Sequence, residues 1–264
     1  MAAHAGLPGN RRKHIPTLEA GKGSQHYYRF SNFQNWFTCE RTDPFTYIGC
    51  HYVDLVYFIT GLKPIEVSVY GVKGRFPNGN EAYLWSHGRV TWENGALLSV
   101  TNGLGYPDAA AGSNDQGLTM YCEGKGQTGL IFHDDHYRGA AYSYLEGIGP
   151  GGSKYNYVSP DFYRLVPWER PGYKPVGYSY DSVAGITQTI HRMETKTAEL
   201  APEAALERRR QIMQEVDAKG LIATPANSYI NDLVVEAARA SILHDAVPVR
   251  IVYGDRPHVE IKRT

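Results

Sequence analysis

The chain has 264 residues, with 27 basic and 27 acidic side chains and a formal net charge of zero. That length holds one large domain or two small ones around a substantial core, and the balanced charge leaves no basic stripe for nucleic acid. Three cysteines, Cys39, Cys50 and Cys122, make neither a disulfide framework nor a zinc ribbon and predict a reducing compartment. No apolar run reaches membrane-spanning length and residues 1–24 lack a signal-peptide core. The expectation is a cytoplasmic protein with no membrane and no nucleic-acid partner. Twenty tyrosines against eight phenylalanines suit half-wet surfaces: sugar clefts and subunit interfaces, or the solvent face of a sheet.

Residues 1–24, rich in Gly, Ala and basic side chains, read as an N-terminal arm or linker, with a short helix near Thr17–Ala20. His26 to Phe33 is aromatic and strand-like, and a polar loop runs from Gln34 to Pro44. A helix then spans Thr46 to Thr60 and stops at Gly61. Ile48, Tyr52, Leu55 and Ile59 recur at helical spacing and are expected to form its buried stripe. Tyr47, His51 and Asp54 share a neighbouring face.

Ile65 to Val72 alternates and predicts a strand. Leu84–Trp92 and Ala96–Asn102 flank Asn94-Gly95, a strong hairpin signal. Leu118–Cys122 and Thr128–His133 predict a second hairpin. Residues 137–180 read as irregular, with one or two short strands. Helices follow: one from Asp181 to about Lys196, with Val183, Ile186, Ile190 and Met193 in register, and one from Pro202 to Lys219. A third starts at Pro225 or Asn227 and carries Ile230, Leu233, Val234, Ala237 and Ile242. Pro248 to Tyr253 is a last strand. The order predicts an α+β fold, with a large open, mostly antiparallel sheet and helices packed on one face. Residues 25–264 read as a single α+β domain for substrate binding and oligomerisation.

Three segments bear on chemistry. Gly147 to Gly152 has dinucleotide-fingerprint glycines without the strand before and helix after that such a loop needs. His133-Asp134-Asp135-His136 holds metal-ligand types, but neighbours on a strand point to opposite faces. The bland reading is a polar strand end entering a loop, with one residue facing a cleft. Asn35, Trp36, Arg41 and Asp43 precede the helix of His51 and suit a polyol, with an aromatic face for C–H groups and charges for hydroxyls. The alternative is a capping loop with Trp36 in the core. Periodicity alone leaves His51 a satisfied structural histidine more often than a catalyst.

Gly49-Cys50-His51-Tyr52-Val53-Asp54 resembles the G-x-H-x-x-D helix of the Gfo/Idh/MocA oxidoreductases. The order of elements from Leu18-Glu19-Ala20 to Val249-Arg250-Ile251 resembles that family's C-terminal substrate and oligomerisation domain. The resemblance implies a sugar, polyol or derivative as substrate and His51 as the cleft histidine that takes the hydroxyl proton. It also implies NAD(P), held by an N-terminal Rossmann domain that contributes a lysine. That domain's glycine fingerprint, acidic ribose ligand and E-K-P lysine are not found in this sequence. The expectation is therefore no cofactor bound by this chain alone, and a separate nucleotide-binding domain as partner.

The acidic residue common four positions before the histidine is Tyr47 here, which the resemblance makes a second catalytic candidate. Asn35, Trp36, Arg41, Asp43 and His133 are candidates for substrate binding. The open sheet is the implied homo-oligomer interface. Two alternatives stand beside this reading. One is a non-enzymatic module for sheet-mediated association or carbohydrate binding. The other is a glycoside hydrolase or lyase of the same superfamily, in which Asp43, His133 or Asp134 would be the second acid or base.

Overall fold

A computed structural model of the chain describes residues 31–104, 116–124, 127–134, 139–145, 163–177 and 180–262. Two compact units divide the chain. One comprises Met1–Ser159 with Ile230–Thr264, and the other Pro160–Tyr229. The expected span 25–264 contains both.

In the first unit, α1 (Ser31–Trp36) precedes a π-helical turn (Phe45–Gly49) that runs straight into α2 (Cys50–Thr60). Five strands form an antiparallel sheet: β1 (Pro64–Arg75), β2 (Glu81–Trp92), β3 (Leu97–Gly103), β9 (Val249–Val252) and β10 (His258–Ile261). Their order is β10-β9-β1-β2-β3. A separate antiparallel sheet holds β4 (Gly117–Gly124), β5 (Gln127–Asp134) and β6 (Gly139–Leu145). The second unit pairs β7 (Tyr163–Pro167) with β8 (Tyr173–Gly177) and adds α3 (Tyr180–Thr197) and α4 (Pro202–Lys219). The last helix, α5 (Pro225–Leu243), crosses the boundary between the units. The fold is α+β, and every strand pairing among the described residues is antiparallel.

The Asn94-Gly95 hairpin forms as its sequence predicts, in the three-residue version. Gly95 N donates to Trp92 O and Trp92 N to Ala96 O, and only Gly95 takes a positive φ, +81°. This is a tight turn followed by a left-handed glycine, the second commonest hairpin connection. Alternation in β2 puts Ser86, Gly88 and Val90 on the buried face, opposite Gly71, Val69 and Val67 of β1.

The alternation breaks near the start of β2. Val72 pairs with Trp85 and Lys73 with Tyr83, so Leu84 is the extra residue of a bulge. Three consecutive side chains are buried as a result. Tyr83 donates its hydroxyl to the Ile242 carbonyl of α5, while Ala82 and Leu84 join Phe33, Phe37, Phe76 and Leu104 in an aromatic-rich cluster.

Helix α5 completes an edge of β1 that β9 is too short to cover. β9 pairs only at Glu66 and Val67. The next free amide, Val69 N, donates to Ser241 Oγ, which in turn donates to Val247 O. Buried backbone groups need such partners, and a serine supplies one here.

The structure departs from the sequence expectations in several places. Residues 31–36, expected as the end of a strand and the start of a loop, are helical. Residues 26–30 lie outside the described part, as do the arm at 1–24 and Gly147–Gly152. The buried stripe of the His51 helix is Gly49, Cys50, Val53 and Val56, not Ile48, Tyr52, Leu55 and Ile59; Ile59 is exposed. The sequence V-D-L-V-Y-F-I is apolar on more than one side, so periodicity alone could not choose the face that a glycine lets approach the sheet. Strand β10 was not expected, and the described strands outside the five-stranded sheet form one sheet of three and one of two.

Candidate functional site

The His51 helix is set in place by its first two turns. Gly49 lies so close to β3 that a Cβ there would sit 2.6 Å from Asn102 Oδ1 and 3.1 Å from a Val100 methyl. Phe45, fully buried, lies over Gly88 of β2, where a Cβ would come within 2.4 Å of its ring. Two glycines, one on each partner, thus let the π-helical turn lie against the sheet. Beneath it, Ser86 and Asn102 face each other across β2 and β3, and Ser86 Oγ and Asn102 Oδ1 are buried without a hydrogen-bond partner.

Asp43 holds the start of the turn. It is fully buried, and its carboxylate accepts hydrogen bonds from Thr46 N and Thr46 Oγ1, each at 2.9 Å. Arg239 of α5 donates from Nη1 to Asp43 Oδ2 at 2.8 Å, and from Nη2 to the carbonyls of Cys39 at 2.9 Å and Glu40 at 3.2 Å. The thiol of Cys50 donates to Thr46 O. Burial pushes the Cys50 thiol up to about 11.

On this base His51 is exposed at the second position of α2. Asp54, three residues on, is close enough for a protonated His51 to draw its carboxyl down; lost hydration outweighs that pull and leaves it above the usual range. Much of Asp54 is nonetheless open to solvent. Between them along the chain, Tyr52 turns towards the three-stranded sheet. Its ring meets that of His133 edge to face with centroids 6.4 Å apart, and its hydroxyl donates to Gln116 Oε1 at 3.4 Å. His133 of β5 therefore lies against the residue that follows His51 on α2.

The other candidates fall into two groups. Tyr47 and Trp36 belong to the aromatic cluster: their rings lie 5.6 Å apart, and Tyr47 also meets Phe33 and Phe37, each at 5.7 Å. Trp36 keeps 38% of its surface exposed. Asn35 is exposed and accepts a hydrogen bond from Asn78 Nδ2; Arg41 is exposed in the turn closed onto Thr38 O. Asp43 faces the protein interior, its carboxylate occupied by Thr46 and Arg239, which leaves no surface for a ligand.

Tyr52, Asp54 and Arg239 were not singled out as site residues from sequence. Arg239 had a signal: it is the only basic residue of α5, set among buried Ala237, Ala238, Ser241 and Ile242. Among the described residues, no group of three or more His, Cys, Asp or Glu could hold a metal ion. Asp135 and His136 lie outside them. No described helix is long and apolar enough to cross a membrane.

A nicotinamide dinucleotide, which the resemblance implies, needs a parallel strand–turn–helix unit to cradle its pyrophosphate. The described strands pair antiparallel throughout and do not fit that group.

No protein-family model matches the chain, and no curated protein does. Solved structures do. An NAD binding oxidoreductase from Klebsiella pneumoniae is 12% identical over 78% of this chain and 50% of its own, with a TM-score of 0.43. An oxidoreductase domain protein from Kribbella flavida is 17% identical over 75% of this chain and 48% of its own, also at 0.43. The apo form of a levoglucosan dehydrogenase is 14% identical over 88% of this chain and 56% of its own, at 0.44. The chain spans about half the length of the solved structures it matches.

Proposed function

We propose that this chain is the substrate-binding part of a Gfo/Idh/MocA-type oxidoreductase acting on a sugar, a polyol or a derivative. The observation that carries the reading is the setting of the G-x-H-x-x-D residues. Gly49 is required by the approach to Asn102, while His51 and Asp54 are left open to solvent on the helix whose Tyr52 meets His133. In this reading His51 accepts the proton of a substrate hydroxyl, and His133 binds a neighbouring oxygen. Trp36, Asn35 and Arg41 offer an aromatic face and polar groups to the rest of a polyol. Tyr47 and Asp43 act only as supports, through the aromatic cluster and the buried ion pair. Oxidation also needs a hydride acceptor, which a nucleotide-binding domain must hold, in a longer form of the chain or in a partner.

The test is an NMR titration of the full chain with a panel of sugars and polyols, following the histidine ring signals. The His51 and His133 signals should move together for at least one member of the panel, and His51→Gln should abolish its binding. A panel that leaves both signals fixed overturns the reading.

A second reading, a non-enzymatic module that self-associates through its sheet, has its own observation. The outer face of the five-stranded sheet leaves Tyr70 62% and Trp85 38% exposed. They share that face with His87, which bonds Thr101 across to β3 at 3.0 Å. Light scattering decides it: Tyr70→Glu should turn an oligomer into a monomer, and a wild-type monomer removes this reading.

A further inference from the structure

We propose that Arg239, near the far end of the chain, is a positioning residue for His51, acting through Asp43 and Thr46. The inference rests on the reading of His51 as the ligand-facing group. It goes beyond that reading by assigning a function to a residue 196 positions from Asp43.

The path is continuous. Arg239 fixes the carboxylate of Asp43 and, with its second nitrogen, the carbonyls of Cys39 and Glu40. One guanidinium thereby ties three points of the segment that leads into the π-helical turn. Asp43 passes the restraint to Thr46 through both the backbone amide and the hydroxyl. Thr46 O receives the Cys50 thiol, and Cys50 is the residue before His51. Helix α5 therefore holds the start of the turn that leads to the imidazole.

A lysine could match the charge at Asp43 but not the fork that also reaches two carbonyls. The ion pair is almost dry: Asp43 is fully buried and the Arg239 side chain is 15% exposed. Loss of the guanidinium would leave a carboxylate to rehydrate or rearrange, which moves Thr46 before anything else.

The experiment uses the full chain labelled with 13C in its histidine rings, with the His51 signal assigned from His51→Gln. Arg239→Ala should shift or broaden the His51 signal while those of His87 and His258 stay in place. Added guanidinium, filling the cavity, should restore it, and Arg239→Lys should restore it in part. Ser241→Ala, which weakens the tie between α5 and β1 without touching Asp43, should leave the His51 signal where it was. Thr46→Val keeps the charge pair and removes one hydrogen bond to Asp43; it should give a smaller shift in the same direction, and it carries the test should Arg239→Ala fail to fold.

An unmoved His51 signal in folded Arg239→Ala or in Thr46→Val overturns the proposal. So does an equal shift in Ser241→Ala, which would make the effect one of general stability. Sugar titration of the wild type, read separately, decides whether His51 faces a ligand at all.

Discussion

The Cα of Gly49 lies against the side chain of Asn102, so close that the smallest chiral residue would place its Cβ 2.6 Å from Oδ1. Asn102 is not a flexible chain end: it is buried within β3. Gly49→Ala should therefore cost about 1–3 kcal/mol, the usual range for overpacking a filled interior. Chemical denaturation measures it. Pairing the change with Asn102→Ala should return part of that loss, and a purely additive double variant would show that the contact is not the cause.

The buried pair of Asp43 and Arg239 has no water to fall back on. Asp43→Ala should destabilise the fold by about 3–5 kcal/mol, the cost of leaving a buried charge without its partner. Asp43→Asn, which can still accept from Thr46, should cost less. Urea denaturation of the two variants orders them, and equal costs would mean that the charge, not the hydrogen bonds from Thr46, sets the value.

Ser241 closes a backbone account. With Ser241→Ala the amide of Val69 loses its acceptor in a buried place, which costs about 1–3 kcal/mol. Hydrogen exchange should show the Val69 amide losing protection more than its neighbours in β1. Uniform change along the strand would argue for a global effect.

Cys50 offers a prediction in pH. With its thiol at about 11, only about one molecule in a thousand carries the thiolate at pH 8, and only the thiolate reacts. Alkylation of Cys50 in the native protein should be slow and should rise close to tenfold per pH unit until pH approaches 11. Mass spectrometry of labelled peptides reads this. Rapid, pH-independent labelling would place the sulfur elsewhere.

Local rules made much of this chain readable. Gly61 and Gly220 end their helices in the left-handed conformation, at φ +69° and +61°, as glycines after an apolar-periodic run should. Asn94-Gly95 fixed a hairpin because the backbone there needs one residue at positive φ. What local rules missed depends on distant parts of the chain. Residues 31–36 coil because Phe33 and Phe37 stack in a cluster with Phe76, Leu84 and Leu104, which no window of neighbours contains. The buried face of α2 was misjudged because the choice lies with Gly49 and its fit to β3. Asp43 looked like a ligand-binding carboxylate as long as Arg239 was out of sight. The helix of His51 could be found because its signal is a short motif; its support could not, because it is spread over α2, β3 and α5.

The Arg239–Asp43 pair also sets an order of events during synthesis. Residue 239 is made 196 residues after residue 43, a delay of about 10–40 s at ordinary translation rates. Throughout that interval the turn that carries His51 exists without its anchor, and the Asp43 carboxylate has only Thr46 and water to bind. The histidine helix is among the first parts of the described chain to be made, and among the last to be fixed in place.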